Sequence, residues 1–99
     1  MTARDALRIG TRGGAQVLGR TDIGSLEPGK CADFAVWRTD HLEFAGADDP
    51  VAGLVLSAPH RVDRLYVGGE AVVREGHLTH AEEQEIAAEH RLQAQRFLT

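Results

Sequence analysis

Ninety-nine residues make one domain, near the small end of what buries an adequate core. Hydrophobic residues are 42% and charged residues 26% of the chain, as in ordinary soluble globular proteins, and a net charge of −4 with no basic run argues against nucleic-acid partners. No apolar run approaches the roughly 20 residues that span a bilayer, MTARDALRIG lacks the apolar core of a signal peptide, and the single cysteine, Cys31, excludes an intramolecular disulfide framework. The expectation is a soluble, cytoplasmic protein with neither a nucleic acid nor a membrane as partner.

Residues Thr2 to Leu18 read as helical, with apolar or small residues at Ala3, Ala6, Leu7, Gly10, Gly14, Val17 and Leu18 along one face. Glycine costs a helix interior about 1 kcal/mol relative to alanine. The run Gly10-Thr11-Arg12-Gly13-Gly14 therefore predicts a break into two short helices, with Gly10 closing the first, Thr11 capping the second and Gly19 ending it.

Ile23–Trp37, IGSLEPGKCADFAVW, reads as strand, turn, strand. Ile23–Leu26 can run extended. In Glu27-Pro28-Gly29-Lys30, proline sets φ at the first central position of a type II turn and glycine supplies the positive φ of the second. Phe34-Ala35-Val36-Trp37 is then predicted as a strand buried on both faces.

Arg38 to Asp49 is polar and reads as a loop. Asp49-Pro50 has the composition of a helix start, with Asp49 as N-cap and proline at the first helical position. The following Val51–Leu56 reads as a short apolar helix stopped before Pro59, its β-branched content leaving a strand as the alternative. Val62–Val67 and Glu70–Arg74 flank Gly68-Gly69, a two-residue hairpin turn of the primed type. Thr79-His80-Ala81-Glu82 fits a capping box ahead of a helix to about Phe97, with its acids toward the start and Arg91 and Arg96 toward the end. The apolar stripe of that helix, through Ile86 and Phe97, is thin, as expected of a helix that packs by one edge against something larger.

The run Gly24-Ser25-Leu26-Glu27-Pro28-Gly29-Lys30-Cys31-Ala32-Asp33 followed by an apolar strand resembles the C-terminal signature of the amidohydrolase superfamily. The likeness is to its metal-dependent deaminase branch, around 8-oxoguanine deaminases and triazine hydrolases, and extends to Ala6–Gly19 and Arg61–Leu78. It implies the C-terminal segment of an enzyme that deaminates an aromatic heterocycle, a segment belonging to a composite β-sandwich. It further implies zinc or iron held in the barrel of the full-length enzyme, activating water. A complete (β/α)₈ barrel takes about 250 residues, so this chain cannot hold one, and by itself it is expected not to be catalytic. No catalytic, cofactor-binding or metal-ligating position can be assigned in it. A different reading is an independent, non-catalytic β module for oligomerisation or partner binding, and a third is a truncated product without activity.

Several side chains invite chemistry and are better explained without it. His77 closes a strand and His80 opens a helix, and no His-x-His pair occurs, so the five histidines read as solvated surface residues. Lys30 beside Cys31 could lower the thiol pKa, but no histidine partner lies at motif spacing, and a small residue filling a strand edge is the favoured reading. Asp33 is expected to accept backbone N–H groups from the Pro28-Gly29 turn and to hold Lys30. Arg12-Gly13-Gly14 lacks the spacing of a phosphate loop, and Phe34 and Trp37 read as core.

The sequence thus predicts an α+β domain without a barrel: a helical lead-in over 1–19, a β-rich part over 20–78 and a C-terminal helix within 79–99. Its strands are Ile23–Leu26, Phe34–Trp37, Val62–Val67 and Glu70–Arg74. An open sheet edge and the apolar residues of Val51–Leu56, Ile86 and Phe97 predict self-association.

Overall fold

The computed structural model describes residues 1–57 and 59–98; Ala58 and Thr99, within the expected β-rich and C-terminal segments, lie outside the described residues. Helix α1 (Ala3–Arg8) opens on a capping box, in which Thr2 Oγ1 accepts from the Asp5 N–H at 3.1 Å and the Asp5 carboxylate accepts from the Thr2 N–H at 2.9 Å. The glycine-rich run does not break the helix as expected. It widens into a π-helical turn over Ile9–Gly13 and resumes as α2 (Gly14–Val17). Thr11 is not a cap: its hydroxyl donates back to the Leu7 carbonyl at 2.9 Å, a bond that competes with the regular ladder at the point where the turn widens. Gly19 does end the helix, at φ +69°, with the Gly19 N–H on the Gln16 carbonyl and the Arg20 N–H on the Ala15 carbonyl.

Ile23–Leu26 is a bend rather than the expected strand, because Gly24 sits at φ +93°, outside any extended conformation. The sheet has four antiparallel strands in the order β1-β2-β3-β4: β1 (Phe34–Val36), β2 (Arg64–Val67), β3 (Glu70–Arg74) and β4 (His77–Leu78). Gly68 and Gly69, at φ +59° and +82°, form the primed hairpin turn between β2 and β3. A second tight turn, Glu75-Gly76, adds β4 as the fourth strand in place of Ile23–Leu26. The pairing of Leu65 with Val73 and of Tyr66 with Ala71 leaves Val72 as a bulge against β2, and on the other side of β3 the Val72 carbonyl accepts the Thr79 N–H at 3.0 Å, continuing the β3–β4 register.

Helix α3 (Pro50–Leu56) settles the helix-or-strand alternative: the Asp49 carboxylate accepts the Val51 N–H at 3.0 Å and Pro50 occupies the first turn. It packs on α1, and Arg4 reaches Asp49 at 3.2 Å. The segment read as polar loop contains a 3₁₀ turn, Leu42–Phe44, that buries Phe44 against α3. Helix α4 (Glu83–Leu98) starts after the expected capping box, since Thr79 spends its hydroxyl on the Ala71 carbonyl at 2.8 Å.

The core is small. Among the described residues the buried apolar side chains are Ala15, Phe44 and Val73, and α4 buries none. β1 is half-buried to exposed, not covered on both faces, with Ala35 and Val36 both exposed. The chain exposes 7925 Å², where a monomer of its mass ordinarily exposes about 5,500 Å². Its radius of gyration is 16.6 Å, against about 13 Å for a compact domain of this length. Sheet and helices are folded, but a partner-sized area stays uncovered.

Candidate functional site

Residues 22–33 form a closed loop that joins the N-terminal helices to the sheet. Its base is the Cys31 N–H donating to the Asp22 carbonyl at 2.8 Å, and its tip is the expected turn, with Gly29 at φ +88° and the Lys30 N–H on the Glu27 carbonyl at 3.1 Å. At the other end, the Gly69 N–H donates to the Ala32 carbonyl at 3.0 Å and the Gly68 N–H to Asp33 Oδ1 at 2.7 Å. Asp33 therefore holds the β2–β3 hairpin, not the Pro28-Gly29 turn, and Lys30 lies elsewhere. The sequence could not reveal this because Asp33 and Gly68 become neighbours only when β1 and β2 pair.

Within the loop, Lys30 Nζ lies 2.7 Å from Ser25 Oγ and 2.7 Å from Glu27 Oε2, and the Ser25 hydroxyl donates to Glu27 at 2.7 Å. A serine beside a lysine is a nucleophile–base pair only when the amine is neutral. Here the Glu27 carboxylate, held below its usual pKa by Lys30 and then by Ser25, keeps an anion against the ammonium. The triad braces the turn.

Cys31 is half-buried, just ahead of β1. Its Sγ lies 3.2 Å from Asp22 Oδ2 and 3.6 Å from the Arg20 guanidinium. Arg20 makes two 2.8 Å bonds to the Asp22 carboxylate, which it holds far below the usual carboxylate range. The thiol donates to that carboxylate, so its pKa is raised, first by the hydrogen bond to Asp22 and then by burial, instead of lowered by Lys30. Replacing Asp22 by Asn removes the anion that disfavours the thiolate. Iodoacetamide should then alkylate Cys31 severalfold faster at mildly alkaline pH, and an unchanged or slower rate would show that Asp22 does not control the thiol.

The histidines do not converge. His77 Nδ1 meets Glu83 Oε2 at 2.8 Å, and His60 Nε2 meets the Gly53 carbonyl at 3.1 Å while its ring stacks on Phe44 at 4.4 Å. His41 lies on the surface 3.9 Å from Asp40. Among the described residues no three His, Cys, Asp or Glu side chains gather into a metal site. Arg12-Gly13-Gly14 lies inside the continuous helical run and presents no free helix start to an anion.

A concave, largely apolar hollow of about 450 Å³ is lined by Leu7, Leu26, Phe34, Trp37 and Leu54. Phe34 stacks on Tyr66 at 4.7 Å, and both Phe34 and Trp37 remain half-buried instead of enclosed. A second hollow of about 620 Å³ collects Arg38, Arg61 and Arg64. Asp63 and Glu75 line it too, Asp63 lies 3.8 Å from Arg64, and Arg38 is held by Asp40.

Known proteins match this arrangement as a portion of something larger. The amidohydrolase family model matches residues 1–72. The 8-oxoguanine deaminase of Pseudomonas aeruginosa is 44% identical over 95% of this chain, which covers 21% of that enzyme. The crystal structure of atrazine chlorohydrolase from Arthrobacter aurescens, complexed with zinc, superposes with a TM-score of 0.83 at 38% identity over 89% of this chain and 20% of that one. An adenosine deaminase from Xanthomonas campestris with bound zinc gives 0.86 at 30% identity over 96% and 22%. The chain thus spans about a fifth of the length of its relatives. No helix among the described residues is long and apolar enough to cross a membrane. With a family model over most of its length and deaminases and hydrolases sharing its fold, the chain belongs to the amidohydrolase family.

Proposed function

We propose that this chain is the C-terminal small-domain portion of a cytoplasmic, metal-dependent hydrolase that deaminates an aromatic heterocycle. In this reading its residues 20–78 complete a β-sandwich, residues 1–19 lead out of the barrel, and the helix within 79–99 lies along the flank. The metal, zinc or iron, and every group that touches substrate would belong to the barrel. The observation that carries the reading is the 44% identity with an 8-oxoguanine deaminase of which this chain spans 21%. The physical support is the uncovered surface, about 2,400 Å² beyond that of a compact monomer of this mass, in the range that obligate interfaces bury. An independent partner-binding module is not favoured, because the matching relatives are deaminases and hydrolases.

The chain on its own should release no ammonia from 8-oxoguanine, guanine, cytosine or hydroxylated triazines, with or without added zinc or iron. Turnover that survives repurification and disappears on replacing His77 or His80 by alanine would overturn the reading. Without the barrel, the same apolar hollow and open β1 edge support self-association, most simply as a symmetric dimer. Light scattering should show a mass above the monomer's 10.7 kDa.

A further inference from the structure

The two edges of the sheet are not alike. At β4 the Thr79 N–H turns inward to the Val72 carbonyl at 3.0 Å. Alternation along the strand then points the Leu78 N–H away from β3, where Glu83 Oε1 accepts it at 2.8 Å. A side chain therefore occupies the outer edge of β4. At β1 the Val36 carbonyl accepts the Asp63 N–H at 3.0 Å, on the side of β2. The same alternation turns the Ala35 N–H and the Ala35 carbonyl outward, and no strand lies on that side among the described residues. Ala35 and Val36 are exposed, and β1 holds neither a proline nor a charged residue, the devices that ordinarily blunt an edge. The apolar hollow borders this edge, with Ala35 in its lining beside Phe34, Trp37 and Leu26.

On the reading of this chain as a portion of a larger hydrolase, on which this rests, we infer that a second copy takes the open edge of β1. The two β1 strands pair antiparallel about a two-fold axis at Ala35. In that register the two Ala35 residues exchange both of their hydrogen bonds, N–H to carbonyl in each direction. Phe34 faces the partner's Val36, so the row formed by Phe34 and Tyr66 continues across the axis. A standard interface takes about 800 Å² from each partner, and this chain leaves about 2,400 Å² more exposed than a compact monomer of its mass. Because Glu83 occupies the edge at β4, pairing ends at two copies, as one sheet with four strands from each, and does not continue into a filament.

Light scattering coupled to size exclusion on the 99-residue chain tests the closed pair. The mass should reach twice 10.7 kDa at the top of about a hundredfold concentration range. Ala35→Pro removes the outward N–H without touching the bonds to β2, a change that an edge strand tolerates. It should stay monomeric at every concentration and keep the far-UV circular dichroism of the wild type. Val36→Lys sets an ammonium against the partner's Phe34 and should raise the dimer Kd at least about tenfold. Exchange at the Ala35 amide of the wild type needs no variant, and should be about tenfold slower at the top of the range than at the bottom. Equal rates there would overturn the pairing, as would a dimer that persists in folded Ala35→Pro or masses beyond two copies. A wild-type monomer throughout would overturn it as well, while leaving untouched the ammonia assay that tests the larger reading.

Discussion

Replacing Gly24 by valine should cost the chain about 3–5 kcal/mol, a loss that combines a forced backbone conformation with overpacking. At φ +93° a β-branched residue is strained in any surroundings. Here the added Cβ would also lie 2.9 Å from the Ala15 Cβ and 3.2 Å from the Thr11 carbonyl oxygen, where the loop presses on one of the few buried side chains. Gly29 separates the two effects. It too has positive φ, +88°, but a Cβ there meets nothing within 4 Å. Gly29→Val should therefore cost only the backbone term, about 1–3 kcal/mol. His41→Ala, on the exposed surface, should stay within about 0.5 kcal/mol. Urea midpoints at constant slope supply the ranking. A Gly24→Val protein as stable as Gly29→Val would show that the contact of the loop with the helix is not part of the folded state.

Phe44→Ala should cost about 3–5 kcal/mol, the usual range for removing a buried phenylalanine. Its ring is 6% exposed, stacks on His60 at 4.4 Å, and lies so close to α3 that a Cβ on Gly53 would stand 2.7 Å from it. With so few buried side chains the cavity has little around it to collapse. Phe97→Ala is the contrast: the ring lies in the open, and its loss should change stability by less than about 0.5 kcal/mol. The far-UV circular dichroism signal followed through urea distinguishes the two. An unfolding midpoint for Phe44→Ala equal to that of Phe97→Ala would mean that the 3₁₀ turn does not hold α3.

Phe44 also shows where local reading stops. It sits in a stretch of Asp, Gly and Thr with no helical or strand period, so nothing nearby in sequence marks it as core. Its burial comes from α3 folding back over Leu42–Phe44, with Gly53 leaving room for the ring. The same limit applies to Ile23–Leu26. These residues have the spacing of a strand, but Gly24 takes a positive φ in order to meet Ala15, a contact made across the turn out of α2. Thr11 was legible as a residue that bonds the backbone locally. Whether it would cap a new helix or widen an existing one depended on the segment continuing to pack, and it donated backward to Leu7.

What the sequence by itself determined are the features whose cause lies within a few residues. These are the Asp49-Pro50 helix start, the Pro28-Gly29 turn, the Gly68-Gly69 hairpin and the Gly19 helix end, each set by a side-chain cap or a φ that proline or glycine favours. The family was legible in the same way, as a signature of turn and strand residues. Tertiary structure decided the partners of the polar side chains: Asp33 with Gly68, Cys31 with Asp22, and Glu83 with both His77 and Leu78. It also decided that Trp37 and Phe34 line an open hollow instead of filling a core. Hydrogen bonds between distant segments exist only once the strands have paired, and burial depends on which surfaces are available to cover a face. In this chain those surfaces are few, and its helices and sheet fold around a core of small extent while much of their apolar area remains exposed.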